Sequence, residues 1–88
     1  MEQHALRLRK LDGWTYLGGK SDAKKPLEVV VRAFDGDVLY ATGESERAPE
    51  GEPVRVPAGE GRRLEGRHFF VRPAPPESPR LISHRGLV

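Results

Sequence analysis

Gly18-Gly19-Lys20-Ser21 ends the way a phosphate-cradling loop ends. Such a loop also needs a glycine five residues before the glycine of Gly-Lys-Ser, so that successive backbone N–H groups wrap the phosphates. Trp14 holds that position and Gly13 is one place off. No long helical pattern follows to offer an N-terminus to a phosphate, so the stretch reads as a loop. Asp35-Gly36-Asp37 could open a calcium loop, but the further oxygen ligands and the distal glutamate are missing. Gly59, Gly61 and Gly66 lack the dinucleotide-binding spacing and read as turn chemistry. His4, His68 and His84 are scattered, with no pair spaced to present two imidazoles to one metal. Ser83 precedes His84, yet neighbours on a strand point to opposite faces and make no nucleophile–base pair. There is no Gly-x-Ser-x-Gly elbow, and the carboxylates fall in turns with no dry pocket to raise a pKa. The expectation is a chain that is no enzyme, with no catalytic, cofactor-binding or metal residues.

Arg67-His68-Phe69-Phe70-Val71-Arg72 interleaves aromatic and basic side chains, as sheets that stack RNA bases do. The RNA-recognition fold needs two helices that this pattern does not supply. An oligonucleotide-binding barrel does not need them, so a small nucleic-acid-binding barrel stays open as an alternative.

Composition narrows the setting. In 88 residues, 15 basic and 13 acidic side chains give a net charge of +2, and the arginines are interleaved with glutamates. A nucleic-acid surface usually shows a basic stripe, whereas this mixture reads as a soluble surface. There is no cysteine, so neither disulfides nor a thiolate zinc site can reinforce a thin core. Oligomerisation is the remaining route. Met1 to Leu11 is charged, unlike a signal peptide, and no apolar run is long enough to span a bilayer, so synthesis in the cytoplasm is expected. Asparagine is absent, Gln3 is the only glutamine, and arginine outnumbers lysine. A thermophilic source and a GC-rich genome would both produce this bias.

The elements that must carry these residues are strands. No helical period persists, and 10 glycines and 8 prolines punctuate the chain. Period-two alternation around Leu6 and Leu8, then Trp14 to Leu17, suggests an extended N-terminal segment; residues 1–26 read as an arm or edge strands, and residues 27–88 as a β-sandwich domain. Leu27 to Phe34 is the clearest strand, followed by Val38 to Thr42, Val54 to Val56, His68 to Arg72 and Arg80 to His84. Arg62 to Glu65 reads as a lead-in to the fourth of these. The expected fold is all-β: a small antiparallel sandwich or barrel of six to seven short strands. Asp35-Gly36 between apolar runs predicts a hairpin tip with Gly36 at positive φ. The predicted core is Leu27, Val29, Val31, Leu39, Val54, Val56, Leu64, Phe69, Val71 and Leu81.

Parity sets some residues apart from that core. Val30, Arg32 and Phe34 oppose the Val29 face, and Phe70 and Arg72 oppose the Phe69 face. A face mixing aromatic and charged groups suits a subunit interface, and so do Trp14 and Tyr16, bounded by Gly13 and Gly18-Gly19. The candidate interface residues are therefore Trp14, Tyr16, Val30, Arg32, Phe34, Phe70 and Arg72. The competing reading is that the chain's own loops or N-terminal segment cover them.

The succession from Val29 to Gly86 resembles small β-sandwich virion proteins of tailed bacteriophages. The shared pattern runs through Leu39 to Gly43, a variable loop, Pro53-Val54-Arg55-Val56-Pro57-Ala58-Gly59-Glu60, the aromatic strand Phe69 to Arg72, and a last strand from Leu81 ending before Gly86. The resemblance implies a capsid decoration, head–tail or tail accessory protein. Its expected partners are copies of itself and capsid or tail subunits, in a homo-oligomer or array that ends in the virion. A small regulator binding one protein partner is a further alternative.

Overall fold

The computed structural model describes residues 3–22 and 24–87. The described residues form eight strands and no helix: β1 Gln3–Leu8, β2 Thr15–Gly19, β3 Leu27–Ala33, β4 Val38–Gly43, β5 Val54–Val56, β6 Gly61–Gly66, β7 His68–Pro73 and β8 Arg80–Arg85. They make two four-stranded antiparallel sheets, one ordered β1-β8-β3-β6 and the other β2-β7-β4-β5. The fold is all-β and sandwich-like. The strand beyond the six or seven expected is β6. Only Leu64 in Gly61–Gly66 is a large apolar residue, because β6 is an edge strand with a solvated side and carries no apolar alternation.

Every connection except β4–β5 passes from one sheet to the other. The core lies between the sheets. Leu8, Val29, Val31, Ala33 and Ile82 meet Val38, Tyr40, Val56, Phe69 and Val71 there, and Leu17, Leu27, Leu64 and Leu87 close its margins. The Tyr40 hydroxyl donates across the core to the Arg32 carbonyl at 3.3 Å, and burial pushes its pKa well up. Three expected core residues are displaced. Leu39 and Leu81 are half-buried because on β4 and β8 the inward parity belongs to Val38, Tyr40 and Ile82, whereas Val54 shares the face of Val56 but is exposed at the start of the edge strand β5.

The expected hairpin at Asp35-Gly36 is not formed. β3 and β4 lie in different sheets, so residues 34–37 are a crossover, and Gly36 is absent from the positive-φ glycines. The glycine serves close approach instead. A Cβ at Gly36 would fall on the Arg80 guanidinium. Arg80 is 7% exposed. It donates to the carbonyls of Asp37 at 3.2 Å, Ser78 at 3.2 Å and Pro76 at 2.8 Å, and to the Ser78 hydroxyl. The two aspartates tie the crossover down on both sides. Asp35 accepts from the Leu81 N–H at 2.7 Å and from Arg7 at 2.8 Å. Asp37 accepts from the Ala58 N–H at 2.9 Å and from Arg55 at 2.7 Å. In each case the backbone N–H, then the arginine, holds the carboxyl below its ordinary pKa.

Candidate aromatic groove

The outer face of the β2-β7-β4-β5 sheet collects the side chains that β7 turns away from the core. Phe69, Val71 and Pro73 point inward, so His68, Phe70 and Arg72 point outward. Tyr16 on β2 stands directly opposite Phe70, with ring centres 5.4 Å apart and planes tilted by 52°. Trp14 lies just before β2, and the Arg72 guanidinium sits 5.6 Å from its ring centre, within cation–π range.

The β4–β5 loop forms the opposite wall. Glu50 and Gly51 donate their N–H groups to the Thr42 carbonyl at 2.9 and 3.0 Å, which folds the loop back over the sheet. The Glu44 N–H adds a bond to the Glu50 carboxylate at 2.9 Å. The result is an open groove of about 400 Å³, with Lys10, Trp14 and Tyr16 along one side, residues 46–49 along the other, and Phe70 at its floor. Its lining carries Lys10 and Arg47 together with Glu46. Just outside it, Arg72 approaches Glu77 and Arg67 approaches Glu44, both at 3.9 Å.

Beside the groove, His68 is 4% exposed and bonded through both ring nitrogens. Nδ1 meets the Tyr16 hydroxyl at 2.8 Å and Nε2 meets the Ser21 hydroxyl at 2.6 Å. In a neutral imidazole one of these nitrogens donates and the other accepts. A serine hydroxyl on an imidazole is a pairing that activates nucleophiles, but here the third member is a phenol. Its pKa is pushed up by desolvation and then by Glu46, so it stays neutral and does not play the orienting carboxylate. The neighbouring Lys20 N–H is engaged by the Arg67 carbonyl at 2.8 Å. The trio clamps the β2–β3 loop and the groove-side tyrosine onto β7.

The seven candidate interface residues do not form one face. Trp14, Tyr16, Phe70 and Arg72 come together in and around the groove, whereas Val30, Arg32 and Phe34 belong to β3 and its end, in the other sheet. The expected shared second face of β3 and β7 is thereby split onto opposite outer surfaces. Phe70 is 2% exposed, beneath Tyr16 and against Gly43, and forms the floor of the groove. Val30 is half-buried between Arg63 and Arg85, its cross-strand neighbours, so arginine stems cover much of its apolar surface. Phe34 is 41% exposed beside the crossover.

Lys10, Ser21, His68 and the 46–49 wall were not among the sequence candidates. Only His68 carried a signal, through its shared parity with Phe70 and Arg72; the others depend on how loops fold back. No protein-family model, curated protein or solved structure matches the chain.

Proposed function

We propose that this chain is a non-catalytic assembly module that docks onto protein subunits through the aromatic groove, in the setting of a tailed-phage particle as a capsid decoration or head–tail or tail accessory protein. The observation that carries the docking reading is the meeting of Trp14, Tyr16 and Arg72 around a groove that no other described segment closes. Half-exposed aromatics held by a rigid sheet, ringed by charges of both signs, are the usual make-up of an interface anchor and its rim. The phage setting rests on the strand-and-turn resemblance between Val29 and Gly86. The sandwich-like fold, with a core small enough to gain from neighbours by mass action, suits that setting.

Nucleic acid is disfavoured by the same geometry. A strand-binding groove is a continuous cationic track, whereas this one mixes Glu46 with Lys10 and Arg47, and the nearby Arg67 and Arg72 face Glu44 and Glu77. The test is co-sedimentation with density-purified phage particles from producing cells. The wild-type chain is expected to travel with particles, and Trp14→Ala/Tyr16→Ala, checked as folded by circular dichroism, is expected to stay in the free fraction. Sedimentation of that variant with particles, or steeply salt-dependent binding of a single-stranded oligonucleotide that needs Trp14, would overturn the reading.

A further inference from the structure

Of the four sheet edges, three are blunted and one is open. β2 carries a register shift between Tyr16 and Gly18, and Gly18 and Gly19 have φ of 143° and 155°, so its free edge is irregular. β5 is three residues long and is bracketed by Pro53 and Pro57. β6 sets Arg62, Arg63 and Glu65 along its six residues. Short strands, prolines, bulges and charges are the standard protections of a sheet edge. β1 has no proline, bulge or charge cluster. It is a regular six-residue strand paired with β8 without a shift from Gln3 to Leu8, its only formally charged side chain is Arg7, and that is engaged by Asp35 at 2.8 Å. No described segment pairs with its outer side. Leu6 points toward the core side, opposite Ile82, yet is 38% exposed at the margin where a further strand would cover it.

We infer that β1 is a homotypic pairing edge, on which a second copy of this chain adds its own β1 in antiparallel orientation across a two-fold axis. The sequence of β1 is self-complementary in a register centred on Leu6. With Leu6 opposite Leu6 of the second copy, His4 faces Leu8 and Ala5 faces Arg7, so no like charges oppose and both exposed leucines are covered. A register one pair further toward the C-terminus would set Arg7 against Arg7, which is repulsive. An isologous contact of this kind closes on itself and yields a dimer. The inference deepens the assembly reading by naming its self-contact, and it uses a different surface from the groove.

The natural chain has no cysteine, so single cysteines report the contact directly. Opposed residues of an antiparallel pair have Cα atoms about 4.5–5.5 Å apart, within disulfide range. Leu6→Cys is expected to form a covalent dimer rapidly under mild oxidation, and Arg63→Cys on the β6 edge to cross-link at least tenfold more slowly. By light scattering the wild-type chain should show twice the monomer mass, Leu6→Lys the monomer mass with an unchanged strand spectrum, and Trp14→Ala the dimer mass. A wild-type chain that stays monomeric across micromolar to millimolar concentration, or equal cross-linking of the two cysteine variants, overturns the β1 edge while leaving the groove reading intact. Loss of the dimer in Trp14→Ala would move the self-contact to the groove and likewise overturn the edge.

Discussion

Gly36 and Arg80 show how a turn residue can be required for a reason other than its backbone angle. The guanidinium fills the space where a side chain at 36 would lie, held there by carbonyls from Asp37, Pro76 and Ser78. Gly36→Val should destabilise the chain by about 1–3 kcal/mol through overpacking. In a double-mutant cycle with Arg80→Met, part of that cost should vanish, because the obstructing group is gone; urea denaturation measures both, and strict additivity would contradict the contact. His84 offers a second check. Its ring stacks on His4 at 5.4 Å, beside Val31 on β3, and its Nδ1 and the His4 Nε2 are buried without a hydrogen-bond partner. Burial, and then the neighbouring His4 ring, lower the His84 pKa beneath the ordinary 6.5. The unfolded chain therefore takes up this proton first as pH falls below 6.5, and folding stability drops through that window until the folded-state value is passed. The Asp35 and Asp37 contributions are lost separately, as pH falls below the ordinary carboxylate value of 3.8. Melting curves between pH 7 and about 5 should decline for the wild type and flatten for His84→Phe; parallel curves would remove His84 as the cause.

Between the strands, legibility follows the density of apolar residues on the inner face. β3 and β7 were readable because Val29, Val31, Phe69 and Val71 are fully buried and their alternation is dense in apolar residues. Phe69→Ala should cost about 3–5 kcal/mol, enough to unfold much of so small a domain, and a loss under about 1 kcal/mol in chemical denaturation would contradict its place between the sheets. On β4, Leu39 and Tyr40 offer similar apolar weight on both faces, so parity alone misassigned the inner one; Tyr40 wins because its hydroxyl finds the Arg32 carbonyl across the core. The Asp35-Gly36-Asp37 stretch has the local composition of a hairpin, and what overrides it is tertiary: each carboxylate bonds a backbone N–H distant in sequence, at Leu81 and Ala58. Sheet assignment was the missing information. Without it β3 and β7 seemed to share a second face, and four of the seven candidate residues, Trp14, Tyr16, Phe70 and Arg72, were grouped with three that lie on the other side of the molecule.

Across the whole molecule, the two surfaces proposed for assembly are distinct: the groove on one sheet and the β1 edge of the other. Their separation would let one chain contact a copy of itself and a different subunit at once, as the proposed accessory role requires. The groove is the central claim, and the only tryptophan in the sequence lines it. Oxidative footprinting read by mass spectrometry therefore tests it most directly, comparing Trp14 and Tyr16 in the free chain and in purified particles. Both side chains are expected to be protected severalfold in particles, while Phe34, exposed on the far sheet, stays as reactive as in the free chain. Equal labelling of Trp14 and Tyr16 in the free and particle-bound chain, or the absence of the chain from particles altogether, would contradict the account.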